Sequence, residues 1–231
     1  MILNIINEIS AKINYHKNTL FNSEIMLKIN QTGMSNIMYR GISNNNPCPS
    51  KIYLNEVIQA LTDCTKINIT QPESIIKLIW DDPLNSINCL FCGCYNIIEI
   101  KFLNFDTSSL TDMSLIFQYC NSLTSVDLSN LNITSVNSIS GMFNHCDSLK
   151  FINLSNFDTS KITNMEHLFY NCINLEYINL FNFTDINNPL TENMFTGIKK
   201  NAVICIDKNK APSIYNFVDN MPCVSISCRP D

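Results

Sequence analysis

Cys94, Cys120, Cys146 and Cys172 stand 26 residues apart, and this regularity constrains the fold more than any other feature of the chain. Other positions keep the same frame. Ile97, Leu123, Leu149 and Leu175 form one column, and Ile100, Val126, Ile152 and Ile178 a second. Phe102, Leu128, Leu154 and Leu180 form a third, Asn104, Asn130, Asn156 and Asn182 a fourth, and Phe105, Leu131, Phe157 and Phe183 a fifth. Phe117, Phe143, Phe169 and Phe195 make a sixth, which Phe91 extends backwards. Self-similarity at this period marks a repeat architecture, in which each unit buries its apolar face only against its neighbours and roughly three or more units are needed.

Within one unit, apolar and polar residues first alternate, as in a short strand with one buried face. The second half, for example Ile162-Thr-Asn-Met-Glu-His-Leu-Phe169, spaces its apolar residues three and four apart. That spacing predicts one or two helical turns, capped by Thr163 or Asn164. The expected fold is therefore α/β: a right-handed leucine-rich-repeat solenoid with one short parallel strand and one short helix per 26-residue coil. The Asn column falls just after each strand, where its amides can satisfy turn backbone groups. Asp106 and Asp158, in frame with each other, are read as turn caps.

Leu154-Ser-Asn-Phe-Asp-Thr-Ser-Lys-Ile-Thr-Asn-Met-Glu-His-Leu-Phe-Tyr-Asn-Cys172 resembles the signature of the BspA-like leucine-rich repeats, the 26-residue repeat of bacterial surface proteins. Leu128-Ser-Asn-Leu-Asn-Ile-Thr134 departs slightly from it, and Phe181-Asn-Phe-Thr-Asp-Ile-Asn-Asn-Pro189 departs more. The resemblance covers about residues 75–200. It implies a solenoid on a cell-surface or extracellular protein concerned with adhesion and with binding host or matrix proteins. The residues themselves leave an intracellular, cytoplasmic scaffold open as the alternative, since no export signal is visible: Asn4, Asn7 and Glu8 interrupt the apolar start of the chain.

The flanks lack the frame. Residues 1–21 read as an N-terminal extension and residues 22–74 as a small β subdomain sealing the first coil. Alternating segments such as Glu24–Ile29, Ser50–Leu54 and Lys66–Thr70 carry that reading. Ser74–Trp80 is expected to be a shortened first repeat, with Trp80 in the Phe105 column. The solenoid then occupies residues 75–198 and a C-terminal cap residues 199–231, with a strand at Ala202–Ile206 and a helix near Ala211–Asn220.

Composition excludes several functions. With a net charge of -5 and no basic run, the chain lacks the clustered Lys and Arg that nucleic acid requires. Only 5 glycines occur, and no phosphate-cradling motif is among them. No apolar run is long enough for membrane insertion. No cofactor is implied. Cys89-x-x-Cys92-x-Cys94 is the one metal-like cluster, but nothing completes a tetrahedral set for zinc. A metal protein or enzyme built on Cys89, Cys92 and His167 is accordingly the least favoured reading. His145 precedes Cys146, but a thiol in a core column is inert. Among the 11 cysteines, the four in the ladder read as buried free thiols. Cys48 and Cys64 could staple the N-terminal subdomain, and two of Cys205, Cys223 and Cys228 could pair.

The function expected is non-catalytic recognition of a protein or glycan by the concave face. The outward strand residues define it: Glu99, Lys101 and Leu103; Ser125, Asp127 and Ser129; Phe151, Asn153 and Ser155; Tyr177, Asn179 and Phe181. Phe151, Tyr177 and Phe181 fall on adjacent coils, as aromatic hot spots do, unless the C-terminal cap folds over them. Five Asn-x-Ser/Thr sequons occur, at Asn30, Asn68, Asn132, Asn153 and Asn182, and a glycan on Asn153 would count against that face.

Overall fold

The computed structural model describes residues 23–41, 46–60, 62–84, 86–218 and 224–225. The N-terminal extension, His16, Cys223 and Cys228 lie outside the described residues.

The N-terminal region contributes β1 (Ser23–Ile29), β2 (Gly33–Asn36), β3 (Lys51–Leu54), β4 (Val57–Ile58), β5 (Lys66–Ile69) and β6 (Ser74–Trp80). β7 (Ile97–Asn104), β8 (Ser125–Asp127), β9 (Phe151–Asn153), β10 (Tyr177–Asn179) and β11 (Val203–Cys205) follow, then helix α1 (Pro212–Val218) and β12 (Val224–Ser225). Among the described residues these form three sheets: six strands in the order β4-β3-β6-β1-β7-β8, four in the order β12-β11-β10-β9, and the pair β2-β5.

The expected right-handed leucine-rich-repeat solenoid, with a helix in every coil, is not what the chain forms. The six-stranded sheet is largely antiparallel. Among the described residues the one α-helix is α1, beyond the repeats. The segments expected to be helical are successions of turns. Their backbone explains why. Cys89, Leu115, Gly141, His167 and Asn193 all have φ between 56° and 61°, and so do Tyr119, His145 and Asn171 four residues after three of them, with Gly93 and Gly197 completing that second column at 66° and 84°. Left-handed residues every fourth position interrupt any α-helix. The N–H groups instead turn to the next repeat. Met113, Leu115, Phe117 and Tyr119 donate to the carbonyls of Ser138, Ser140, Met142 and Asn144 at 2.9–3.0 Å. Ile139, Gly141, Phe143 and His145 donate in the same way to Asn164, Glu166, Leu168 and Tyr170.

The columns of the sequence meet across these bonds. Ile152 pairs with Ile178, and Ile178 with Ile204, in parallel register. Phe91, Phe117, Phe143, Phe169 and Phe195 stack ring on ring, with centroids 5.4–6.1 Å apart. Cys94, Cys120, Cys146 and Cys172 are buried free thiols. The Cys120, Cys146 and Cys172 thiols donate to the Phe91, Phe117 and Phe143 carbonyls. Burial pushes the Cys120 and Cys172 thiols up to about 12, and burial with a neighbouring thiol raises Cys94 and Cys146 as well. The Asn column does close turns: Asn130, Asn156 and Asn182 amides donate to the Phe102, Leu128 and Ser155 carbonyls of the preceding unit.

Two details of the flanks differ from expectation. Ser74–Trp80 is not a first repeat. β6 runs antiparallel to β1 and β3, and β1 lies between it and β7. Trp80 turns its indole N–H to the Pro47 carbonyl at 2.9 Å instead of joining the Phe105 column. At the other end, β11 keeps the 26-residue register, Tyr177 opposite Val203, so the ladder runs one strand into the segment expected to be a cap.

Candidate functional site

The alternation that buries Ile100 and Phe102 turns Glu99 and Lys101 outward on β7, and a register irregularity between Glu99 and Ile97 brings Ile97 inward as well. Their parallel partners on β8 are Ser125 and Asp127, and Lys101 Nζ lies 3.4 Å from Asp127 Oδ2. The Ser129 hydroxyl and N–H, then Lys101, hold the Asp127 carboxyl below the usual carboxylate range. Both sides of this pair are partly solvated, so it adds little stability and chiefly sets local charge.

In the four-stranded sheet Phe151 lies beside Tyr177, and Asn153 beside Asn179. Phe151 is 61% exposed, an uncommon position for a phenylalanine on a strand. Tyr177 is half-buried, and its hydroxyl donates to Cys205 Sγ at 3.1 Å. Phe181 is half-buried under the ammonium of Lys210, 5.2 Å from its ring centre. The segment after β11 thus covers part of the aromatic cluster and leaves Phe151 open.

Asn179 leaves the candidate set on burial, since it is 1% exposed. Its Oδ1 accepts the Phe181 N–H, as Asn153 Oδ1 accepts that of Ser155 and Asp127 Oδ1 that of Ser129. These three form one column of turn-makers at the strand ends. Asp106 and Asp158 act similarly, accepting the Ser108 and Ser160 N–H groups. Of the sequons, Asn153 is exposed on this face, while the Asn182 amide is engaged with Ser155.

One part of the face was missed in sequence. β1 inserts beside β7 with Met26 opposite Lys101 and Lys28 opposite Glu99, so Glu24, Met26 and Lys28 continue the outward surface of Glu99 and Lys101. Lys77 on β6 carries it further, 3.7 Å from Glu24 and over the ring of Tyr53. The alternation of Glu24-Ile-Met-Leu-Lys-Ile29 was the available signal, but its neighbour in the sheet was not.

On the turn side, the His145 ring stacks on Tyr119 at 4.8 Å and meets the Asn171 amide at Nε2. His167 meets the Asn193 amide and the edge of Tyr170. The Cys146 thiol is turned inward to Phe117 O, away from this row. Cys89 and Cys92 are bonded to each other, as are Cys48 and Cys64, and Cys205 is also disulfide-bonded. Among the described residues no cluster of His, Cys, Asp or Glu is placed to hold a metal, and no helix is long and apolar enough to cross a membrane.

No curated protein and no solved structure matches the chain. Residues 85–206 match one family model, described as "Mycoplasma protein of unknown function, DUF285". That description names neither leucine-rich repeats nor a cell surface nor adhesion. Together with the absence of regular strand-and-helix coils among the described residues, the match overturns the leucine-rich-repeat reading and gives no support to a cell-surface or adhesive role. The match takes in every repeat from Phe91 to Cys205 and more than half of the 231 residues, and the chain therefore belongs to the DUF285 family of Mycoplasma proteins of unknown function.

Proposed function

We propose that this chain is a non-catalytic recognition protein that binds a protein or glycan ligand through the outward face of β1 and β7–β10. The observation that carries the reading is Phe151, an aromatic side chain left 61% exposed on a strand whose neighbours are otherwise ordered by burial. An exposed aromatic beside polar groups is the usual composition of a binding hot spot. Around it, Asn153 and Ser155 offer amide and hydroxyl groups, and Tyr177 a second ring. The Lys101–Asp127 and Lys77–Glu24 pairs give the adjoining surface both signs of charge, suited to orienting a partner. The Cys48–Cys64 disulfide supports a working compartment outside the reducing cytosol.

The test is binding of the purified chain to arrayed glycans and extracellular-matrix proteins, with Phe151→Ala alongside. A hot-spot aromatic costs about 2 kcal/mol or more on truncation, so affinity should fall roughly thirty-fold. Binding that survives the substitution unchanged would remove this face from the account.

A further inference from the structure

Among the described residues the turn closed by the Cys89–Cys92 disulfide exists four more times without one. Leu115–Gln118, Gly141–Asn144, His167–Tyr170 and Asn193–Thr196 occupy the same frame positions. Each begins on a residue with φ near 60° and closes with the same N–H to carbonyl bond at 2.9–3.2 Å, as Cys92 N does to Cys89 O at 3.1 Å. The turn at Cys89 is also held from outside by ladder bonds from Cys89 N to Ser114 O, Phe91 N to Ile116 O and Gly93 N to Gln118 O. The backbone is thus set by the ladder and not by the sulfur bridge. A three-residue separation also removes little entropy from the unfolded chain, unlike the 16-residue separation of Cys48–Cys64. The ladder bonds that hold this turn do not depend on the sulfur bridge.

Cys89 and Cys92 are both partly exposed. Cys92 lines a cavity of about 390 Å³ together with Tyr39, Arg40, Thr65 and Lys66. The Tyr39 N–H donates to the carbonyl of Leu90, between the two cysteines, at 2.7 Å, so the cavity and the turn are docked on each other. The cavity is cationic. Arg40 and Lys66 face it, and their charge is offset only in part by the Asp63 carboxylate, which also accepts the Thr65 hydroxyl and N–H. Arg40 Nε is buried and has no hydrogen-bond partner among the described residues, a donor suited to an anion. Cys92 Sγ lies 3.0 Å from the Leu115 carbonyl, which can accept a hydrogen bond from the Cys92 thiol once the bridge is opened.

We propose that Cys89–Cys92 is a reversible thiol–disulfide exchange site, and that the Arg40–Lys66 cavity receives an anionic low-molecular-weight thiol. The incoming thiolate attacks Cys92 Sγ, the Cys89–Cys92 bond breaks, and Cys89 leaves as a thiolate that takes a proton from water. A second thiolate attacks the sulfur of the attached small thiol and expels the Cys92 thiolate. Two small thiols are oxidised to one disulfide, and the protein disulfide is reduced to a dithiol. The site goes beyond the recognition reading and does not depend on it.

The experiment exposes the folded full chain to stepped ratios of reduced and oxidised glutathione, followed by acid quench, alkylation and peptide mass mapping. Cys89 and Cys92 should open together while Cys48–Cys64 stays closed and the far-ultraviolet circular dichroism is unchanged, and should close again on reoxidation. In Cys89→Ser, oxidised glutathione should add once, at Cys92. Arg40→Ala with Lys66→Ala should slow opening by glutathione about ten-fold, the lower end of electrostatic steering, and leave the rate with neutral 2-mercaptoethanol little changed. Should the double variant unfold, Lys66→Ala alone should show the same discrimination between the two thiols. The proposal is overturned if Cys48–Cys64 opens first, if opening unfolds the chain, if Cys89→Ser takes no adduct, or if both thiols slow equally.

Discussion

In the N-terminal sheet β1 pairs on one side with β6 and on the other with β7, partners some 50 and 75 residues away that run in the opposite direction. In the repeats each residue meets one 25 or 26 positions ahead, in the same direction, through a near-copy of its own surroundings. Both regions bury an apolar face, and both join one continuous core. They differ in what constrains the side chains. A residue in the repeats packs against its own equivalents, so a Phe that stacks well on Phe is selected at every layer. A residue in β1 packs against unrelated segments, and no column records the pairing. The repeats should also fail layer by layer through their neighbours, while the N-terminal sheet depends on long-range closure, part of it a disulfide.

The sharpest way to break this contrast is to empty one layer. Phe143 is fully buried between Phe117 and Phe169. Phe143→Ala should cost about 3–5 kcal/mol in urea unfolding. Hydrogen exchange should rise in the repeats on either side before it rises in β1 and β6. The complementary change is Cys48→Ser with Cys64→Ser. Their bridge spans 16 residues, and its loss should cost about 3 kcal/mol, with exchange rising first in β3 and β5. If either variant loosened both regions equally, the two would form one cooperative unit and the distinction would fall.

A smaller effect compares glycines. Gly141 has φ +59, and an added Cβ would come within 2.6 Å of Leu115 Cδ2 in the layer below. Gly33 has φ +96 with open space around it. Both Ala substitutions should cost about 1–2 kcal/mol for the left-handed backbone. Gly141→Ala should cost more by whatever the displaced Leu115 contributes, read as the difference in urea midpoints. Equal costs would mean that the layers are less closely packed than described.

The smallest effect is in pH. Hydrogen bonds from Thr65, Ser108 and Ser160 hold the carboxyls of Asp63, Asp106 and Asp158 below the ordinary 3.8. Groups lowered on folding stabilise the folded chain above the ordinary value, and that contribution is lost as the pH falls through the lowered one. Stability should therefore be flat through neutral pH and decline below about pH 4, and Asp106→Asn with Asp158→Asn should soften that decline. An acid limb unchanged by these substitutions would place its origin elsewhere.

Much of the core was legible because the columns are the core. The buried thiols, the Phe stack and the amides of Asn130, Asn156 and Asn182 all sit where the 26-residue frame puts them. The helices were misread because an apolar spacing of three and four also fits a run of tight turns. The distinguishing signal was present: Gly93, Asn171 and Gly197 share one column, and Gly141 and Asn193 another, residues that accept positive φ readily. Leu115, Tyr119, His145 and His167 in the same columns obscured it. Of the candidate face, Glu99, Lys101, Asp127 and Phe151 stand outward as the alternation requires, whereas Asn179 turns in to make a backbone bond. The contribution of β1 was hidden because the insertion of one strand between β6 and β7 leaves no trace in local pattern.

The central structural claim is that the second half of each repeat bonds forward to the next repeat and not back along itself. Scalar couplings across hydrogen bonds in a triply labelled sample test it directly. Couplings from the Leu115 amide to the Ser140 carbonyl, and from Gly141 to Glu166, are expected. Couplings from Tyr119 back to Leu115, four residues earlier as in a helix, would contradict the account.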